Sequence, residues 1–299
     1  MSINNTVWTT FGSTTLFVLL WSSGAIFARV GLDHASAFAF LVFRFALAFC
    51  VLLILGIHRR TWLPAPGVRV RVAVTGLVLL GCYPICYLLA LDHGVTPGVL
   101  ATVLGVQPIL TLLLIERRLS AARLLGLTLA LCGLILVVYQ SIALARFSVD
   151  GMLLALGSLG SMTVGAILQK AVKQEPLEVL PLQYAISLLL CLMFVPFRPF
   201  EFELTTNFLI PLLWLAIVIS VIAQLLFYRL IQVGNLVNVT SLFYLVPAVT
   251  AAMDYVFLGN PLPPLSLIGM GAILLGLMLV FRKAAKLANR VADPRENWS

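Results

Sequence analysis

The segment LCGLILVV at 131–138 returns as LLGLMLVF at 274–281, 143 positions later. At the same offset Gly126 meets Gly269, Gly133 meets Gly276 and Leu119 meets Leu262. Upstream the offset is 139: Ser22 meets Ser161, Leu41 meets Leu180, Ala46 meets Ala185 and Pro108 meets Pro247. The four added positions give the second copy about one extra helical turn. Chance supplies scattered leucine matches. It does not readily supply two glycines and a leucine in register together with a matched proline inside an apolar run. The chain reads as one unit written twice: a first module over 1–140, a linker over 141–150, a second module over 151–283 and a basic tail over 284–299.

Each copy holds five apolar runs of spanning length, at roughly 11–31, 36–57, 71–92, 96–115, 121–140, 149–170, 177–196, 208–230, 235–258 and 264–282. An odd number of spans per copy forces the copies into opposite orientations. Inverted repeats of this kind belong to secondary transporters, which bind substrate near the bilayer midplane between the copies. The expected fold class is an all-α membrane protein with ten transmembrane helices as two inverted five-helix repeats. Composition agrees: 62% hydrophobic and 10% charged residues leave a soluble domain with no use for so much apolar surface. The net charge of +8 is loop charge rather than a nucleic-acid footprint, because the basic residues cluster between the runs. With both termini inside, 15 of the 19 Lys and Arg fall in inside segments and only Arg29, Arg146 and Arg198 fall outside. The expected orientation therefore has both termini cytoplasmic. The first run lacks a basic leader and continues into a full span, so it reads as a helix rather than a signal peptide. The five cysteines all lie in apolar runs and read as small apolar residues, without a disulfide or metal role.

Pro108 and Pro247 sit inside the fourth and ninth spans. A proline there removes a backbone hydrogen bond and bends the helix. The two helices are expected to break at equivalent depths, either as gating elements or as static kinks. Pro84, in Gly81-Cys82-Tyr83-Pro84, breaks the third span. On LLWSSGAIFARVGL (19–32), FRFALAF (43–49) and YLVPAVTAAMDYVFLGNPLPPLSLIGMGAILLGLML (244–279), the chain resembles the EamA-type modules of the drug/metabolite transporter superfamily. The resemblance covers nearly the whole chain and implies a central cavity lined mainly by helices 1, 3, 4, 6, 8 and 9, with 5 and 10 as scaffold. Within the superfamily the chain looks most like the aromatic amino acid/paraquat exporters, which move amino acids out of bacterial cells. That implies a multi-pass protein of the bacterial inner membrane. One departure is Gly259-Asn260-Pro261-Leu262, where the second module of the family often reads Gly-Glu-Pro-Leu.

Polar groups inside spans single out the candidate site, since burying them unpaired is costly. Arg44 lies about 12 Å into the second span at about 1.5 Å per residue. It is either a counter-charge for a substrate carboxylate or a structural cap on a neighbouring helix end. The structural role is preferred, because the family commonly has Arg here whatever its substrate. Gln183 is its counterpart in the second copy. Tyr83 and Tyr87 share a helix face, and Gln224 and Tyr228 occupy the matching places in the second copy. These four are candidates to face each other across a cavity for an amphiphilic or aromatic ligand; the alternative for the tyrosines, and above all for Tyr228 beside Arg229, is the interfacial aromatic belt. Gln107 and Tyr244 flank the paired prolines, and Ser241 and Asn238 precede Pro247. Trp21 and Ser22 lie mid-span opposite Ser161 and Met162. The serines also serve close helix packing. Asp254, a turn inside the outer end of the ninth span, is the one candidate for coupling, with an interfacial cap or salt bridge as its plainer role.

No phosphate-binding G-x-x-x-x-G-K-[ST] loop occurs, which excludes an ATP-driven pump within this chain. The three histidines fall at span ends, so no acid–base or metal constellation of an enzyme forms, and no cofactor is implied. The expected partners are a small-molecule substrate and membrane lipid, with no nucleic acid and no ATP; the oligomeric state stays open, and a monomer is compatible with the reading. The reading is a secondary transporter that exports amino acids, aromatic and other hydrophobic ones included, by alternating access. Efflux of lipophilic cations or of another small metabolite is the alternative.

Overall fold

The protein, seen here in a computed structural model, is described for residues 2–60, 62–116, 120–143, 148–258 and 262–292. The pairing of Leu119 with Leu262 and the Gly259-Asn260-Pro261 departure therefore lie outside the described residues, as do Arg117, Arg118, Arg146 and the end of the tail. Nine described helices are long and apolar enough to cross a membrane: α1 (Gly12–Leu32), α2 (Ala37–His58), α3 (Pro66–Asp92), α4 (Pro97–Ile115), α6 (Val149–Ala171), α7 (Pro176–Phe197), α8 (Thr206–Val233), α9 (Leu236–Met253) and α10 (Pro264–Phe281). Between α4 and α6, the shorter apolar helix α5 (Ala121–Val137) completes ten. The architecture is the all-α, ten-helix, two-repeat membrane fold that the sequence predicts.

Contacts between the halves follow a pseudo-two-fold. Helix α2 packs on α7, α4 on α9 and α5 on α10, each a helix against its own counterpart. The contacts of α3 with α6 and of α8 with α1 are exchanged by the same operation. The α5–α10 contact is backbone on backbone. A side-chain carbon at Gly126 would lie 2.7 Å from the Gly276 carbonyl oxygen, and one at Gly133 would lie 2.6 Å from that of Gly269. Only glycine admits such an approach, and small residues are how membrane helices gain contact area where no hydrophobic effect drives them together.

The proline positions interrupt their helices as the sequence predicts. Helix α4 breaks at Gly105–Val106 between Pro97–Leu104 and Gln107–Ile115. Helix α9 tightens to a 3₁₀ turn at Leu242–Tyr244. Pro108 and Pro247 cannot donate to the carbonyls of Leu104 and Phe243, so the backbone rearranges just upstream of each. Helices α3 and α8 carry a second matched pair of irregularities, π-helical stretches at Leu77–Cys82 and Trp214–Ala223. Such stretches are common at functional sites. The extra turn inferred for the second copy is helical: α9 continues without interruption to Leu258.

Candidate functional site

A cavity of about 530 Å³ lies between the repeats, with lining residues from each of α1 to α9. Its walls reach Pro97, at the start of α4, and Gln140, just beyond α5. Both belong to the face opposite the one where α1 begins and α10 ends, so the cavity extends toward that face. Helices 2 and 7, absent from the lining that the family resemblance implied, contribute Leu41, Arg44 and Phe45 and Tyr184, and α5 contributes Val137 at its end. Helix 10 contributes nothing among the described residues, consistent with its place behind α5.

Toward the terminal face the cavity ends on four rings. Phe17 and Trp21 of α1, Phe227 of α8 and Phe243 of α9 are mutually packed, with every ring-centroid distance between 5.2 and 5.7 Å. Trp21, Phe227 and Phe243 form the floor, and Phe17 is fully buried beneath. Further toward the terminal face, Arg123 at the start of α5 pairs with Glu116 at the end of α4. The same guanidinium donates through one terminal nitrogen to Asn235 Oδ1 (3.0 Å) and Asn238 Oδ1 (2.8 Å), at the start of α9. Arg123 is only 3% exposed. Sequence reading counted it among the solvated inside charges and missed this knot. The available signal was Asn238 near the start of the ninth span together with an acid and a base seven residues apart. Lys170, also counted as loop charge, donates to the carbonyls of Ile231 (2.7 Å), Gln232 (3.0 Å) and Gly234 (2.7 Å) and so caps α8.

Seven of the sequence-predicted substrate residues line the cavity: Trp21, Arg44, Tyr83, Tyr87, Gln107, Met162 and Gln224, together with Pro84 and Pro247. Tyr83 and Tyr87 meet edge to face at 6.0 Å, within the cavity rather than at an interfacial belt. Among the described residues Arg44 bonds no helix-end carbonyl. Its Nε–H donates to the Ser220 hydroxyl at 2.8 Å, within the π-helical stretch of α8. Gln107 is 1% exposed, and its Nε2 has no hydrogen-bond partner among the described residues.

The remaining candidates sit elsewhere. Ser22 is buried; its hydroxyl donates to Val18 O (2.7 Å) and its carbonyl accepts from Thr250 Oγ1 (3.1 Å), so it joins α1 to α9. Ser241 is buried and turned into its own helix, donating to Asn238 O at 2.8 Å. Ser161 is half-buried and off the wall, and Pro108 is buried in α4 outside it. Tyr244 is buried among the residues between α5, α9 and α10. Tyr228 is fully buried and belongs neither to the belt nor to the wall. Its hydroxyl donates to Gln183 Oε1 at 2.7 Å, and Gln183 Nε2 donates to Gln169 Oε1 at 3.0 Å. The pair Gln224 and Tyr228 thus faces Tyr83 and Tyr87 only through Gln224. Arg44 and Gln183, equivalent by the repeat, are in opposite states: one on an open wall, the other sealed with two partners. The Asp254 side chain lies outside the described residues.

Ten helices in two inverted halves, with one amphiphilic cavity between them, define a membrane transporter. The EamA-like transporter family matches residues 12–139 and 150–282, and the chain belongs to it. Among solved structures, one titled "Crystal structure of protein" is similar in fold, with a TM-score of 0.76 and 20% identity over 94% of this chain and 98% of that one. Comparison with curated proteins yields no match.

Proposed function

We propose that this transporter is a secondary exporter of amino acids, aromatic and other apolar ones among them, set in the bacterial inner membrane with both termini cytoplasmic. The observation that carries the reading is the make-up of the cavity wall. Aromatic rings and aliphatic side chains surround one guanidinium and the amide-bearing Gln107 and Gln224. A ligand with an apolar body and a small polar head matches such a wall. Broad selectivity follows, since one methylene in an apolar pocket changes binding by only about 1–3 kcal/mol.

The open face and the sealed terminal face correspond to one end state of alternating access, with ligand leaving toward the side opposite the chain ends. In the second end state the ring floor and the Arg123 knot part while the wall around Pro97 and Gln140 closes. No acid stands on the described cavity wall, which favours movement down the substrate gradient or exchange over proton coupling. Efflux of lipophilic cations fits less well, because a guanidinium in the wall repels them. The test is uptake of labelled phenylalanine into liposomes bearing the purified protein, with and without a pH gradient. Saturable flux indifferent to the gradient is expected. Silence toward phenylalanine, leucine and methionine alike overturns the amino acid reading.

A further inference from the structure

Arg44 is the one cation on the described wall of the cavity, and its bonding is incomplete. Among the described residues it makes a single hydrogen bond, from Nε to Ser220. No carboxylate among the described residues pairs with it. A guanidinium carries five N–H donors in a flat fork shaped for two parallel bonds to a carboxylate. Tethering Nε to α8 holds the plane of that fork while leaving both terminal nitrogens available. The rings of Trp21, Tyr83 and Tyr87 line the same cavity.

We propose that the cavity recognises its ligand by the carboxylate, which the two terminal nitrogens of Arg44 take as a bidentate pair, while an apolar or aromatic body lies against the rings. The ligand class is small amphiphilic carboxylates, and the ammonium of an amino acid is not required. This deepens the reading of the chain as an amino acid transporter and rests on it. Arg44 is then a binding residue, and Ser220 positions it.

The test uses the full-length protein in lipid nanodiscs and three probes of nearly equal shape: 3-phenylpropanoate, L-phenylalanine and 2-phenylethylamine, titrated by calorimetry. Both acids are expected to bind, with the amine at least tenfold weaker. Arg44→Gln should weaken both acids at least tenfold and leave the amine no weaker. Arg44→Lys, which keeps the charge but loses the fork, should fall between. Monodisperse elution and an unchanged melting temperature qualify each variant, and the wild-type series stands without any variant. Binding of phenylalanine without phenylpropanoate overturns the carboxylate proposal but leaves amino acid transport intact. Binding of the amine alone, or of none of the three, overturns both. Acid affinities within twofold of wild type in Arg44→Gln remove Arg44 from the site.

Discussion

The backbone of Gly126 in α5 lies against that of Gly276 in α10, close enough that a methyl group on Gly126 would stand 2.7 Å from the Gly276 carbonyl oxygen. The repeat maps Gly126 onto Gly269 and Gly276 onto Gly133, and these form the second such contact, at 2.6 Å. A glycine-to-alanine change on an open helix face is helpful, because alanine is the better helix former. Here the obstacle is backbone, which has nowhere to go, so Gly126→Ala or Gly133→Ala should lose about 1–3 kcal/mol through overpacking. Thermal denaturation in detergent checks this. A methyl group on Gly271 would meet nothing within 4 Å, and Gly271→Ala should be neutral or slightly stabilising.

Arg123 ties the ends of three helices on the terminal face, joining the α4–α5 corner to the start of α9. Breaking a buried ion pair from one side costs about 3–5 kcal/mol, largely from the charge left behind. Glu116 is part-exposed and rehydrates readily, so the loss in Arg123→Ala should fall below that range. Its main effect should be to release the terminal face. Spin labels at the exposed positions Leu114 and Val233 should report a longer or broader distance in Arg123→Ala than in wild type. An unchanged distribution would reduce the knot to a structural clamp.

The spans and the inverted symmetry were legible in the sequence because apolar run length and repeated glycines are local or periodic signals, which lipid enforces strictly. The proline breaks were legible for the same reason, each being set by one residue. The cavity was legible where a polar residue sat at mid-depth with no local use: Arg44, Gln107 and Gln224 all reach the wall. It was not legible where a polar residue had a hidden partner. Tyr228 resembles Tyr87 in sequence, yet it is spent on Gln183, some 45 positions away, and no periodicity reveals that pairing. Arg123 shows the reverse error, since a loop-end arginine looks solvated until the helices that bury it are placed. Phe17, Phe227 and Phe243 carry no sequence signal at all, because one phenylalanine in an apolar helix looks like another; three dimensions alone show that they form a floor.

The contrast between Gln224 and Tyr228 is open to a direct test. Tyr228→Phe removes the donor to Gln183 and leaves a buried amide oxygen unmet, at a cost of about 1–3 kcal/mol. Tyr228 does not itself line the cavity, although its ring packs beside that of Phe227 at 6.3 Å. Its melting temperature should fall while flux per folded molecule stays near wild type. Gln224→Ala should do the opposite, with folded yield retained and flux reduced. Transport assays normalised to folded protein in the bilayer separate the two, and an exchange of these phenotypes would mean that Tyr228 reaches the ligand during the cycle.

Pro108 and Pro247 interrupt α4 and α9 at matched depths, and these two helices pack on each other across the pseudo-two-fold. Both flank the cavity, with Gln107 and Pro247 on its wall. If the breaks serve only packing, restoring the missing backbone donor should be harmless. Pro247→Ala supplies an N–H to the Phe243 carbonyl and relieves a mid-helix proline that costs about 3 kcal/mol in an ordinary helix. The variant should be more stable than wild type. Phe243 belongs to the ring floor that parts in the proposed alternating-access cycle when the terminal face opens, so a straightened α9 should slow that opening. The expected outcome is a higher melting temperature together with a lower maximal rate and little change in ligand affinity, measured by flux and by calorimetry on the same preparation. A stabilised Pro247→Ala that transports at the wild-type rate would show that the bend is static, and would place the moving joint at the π-helical stretches of α3 and α8 instead.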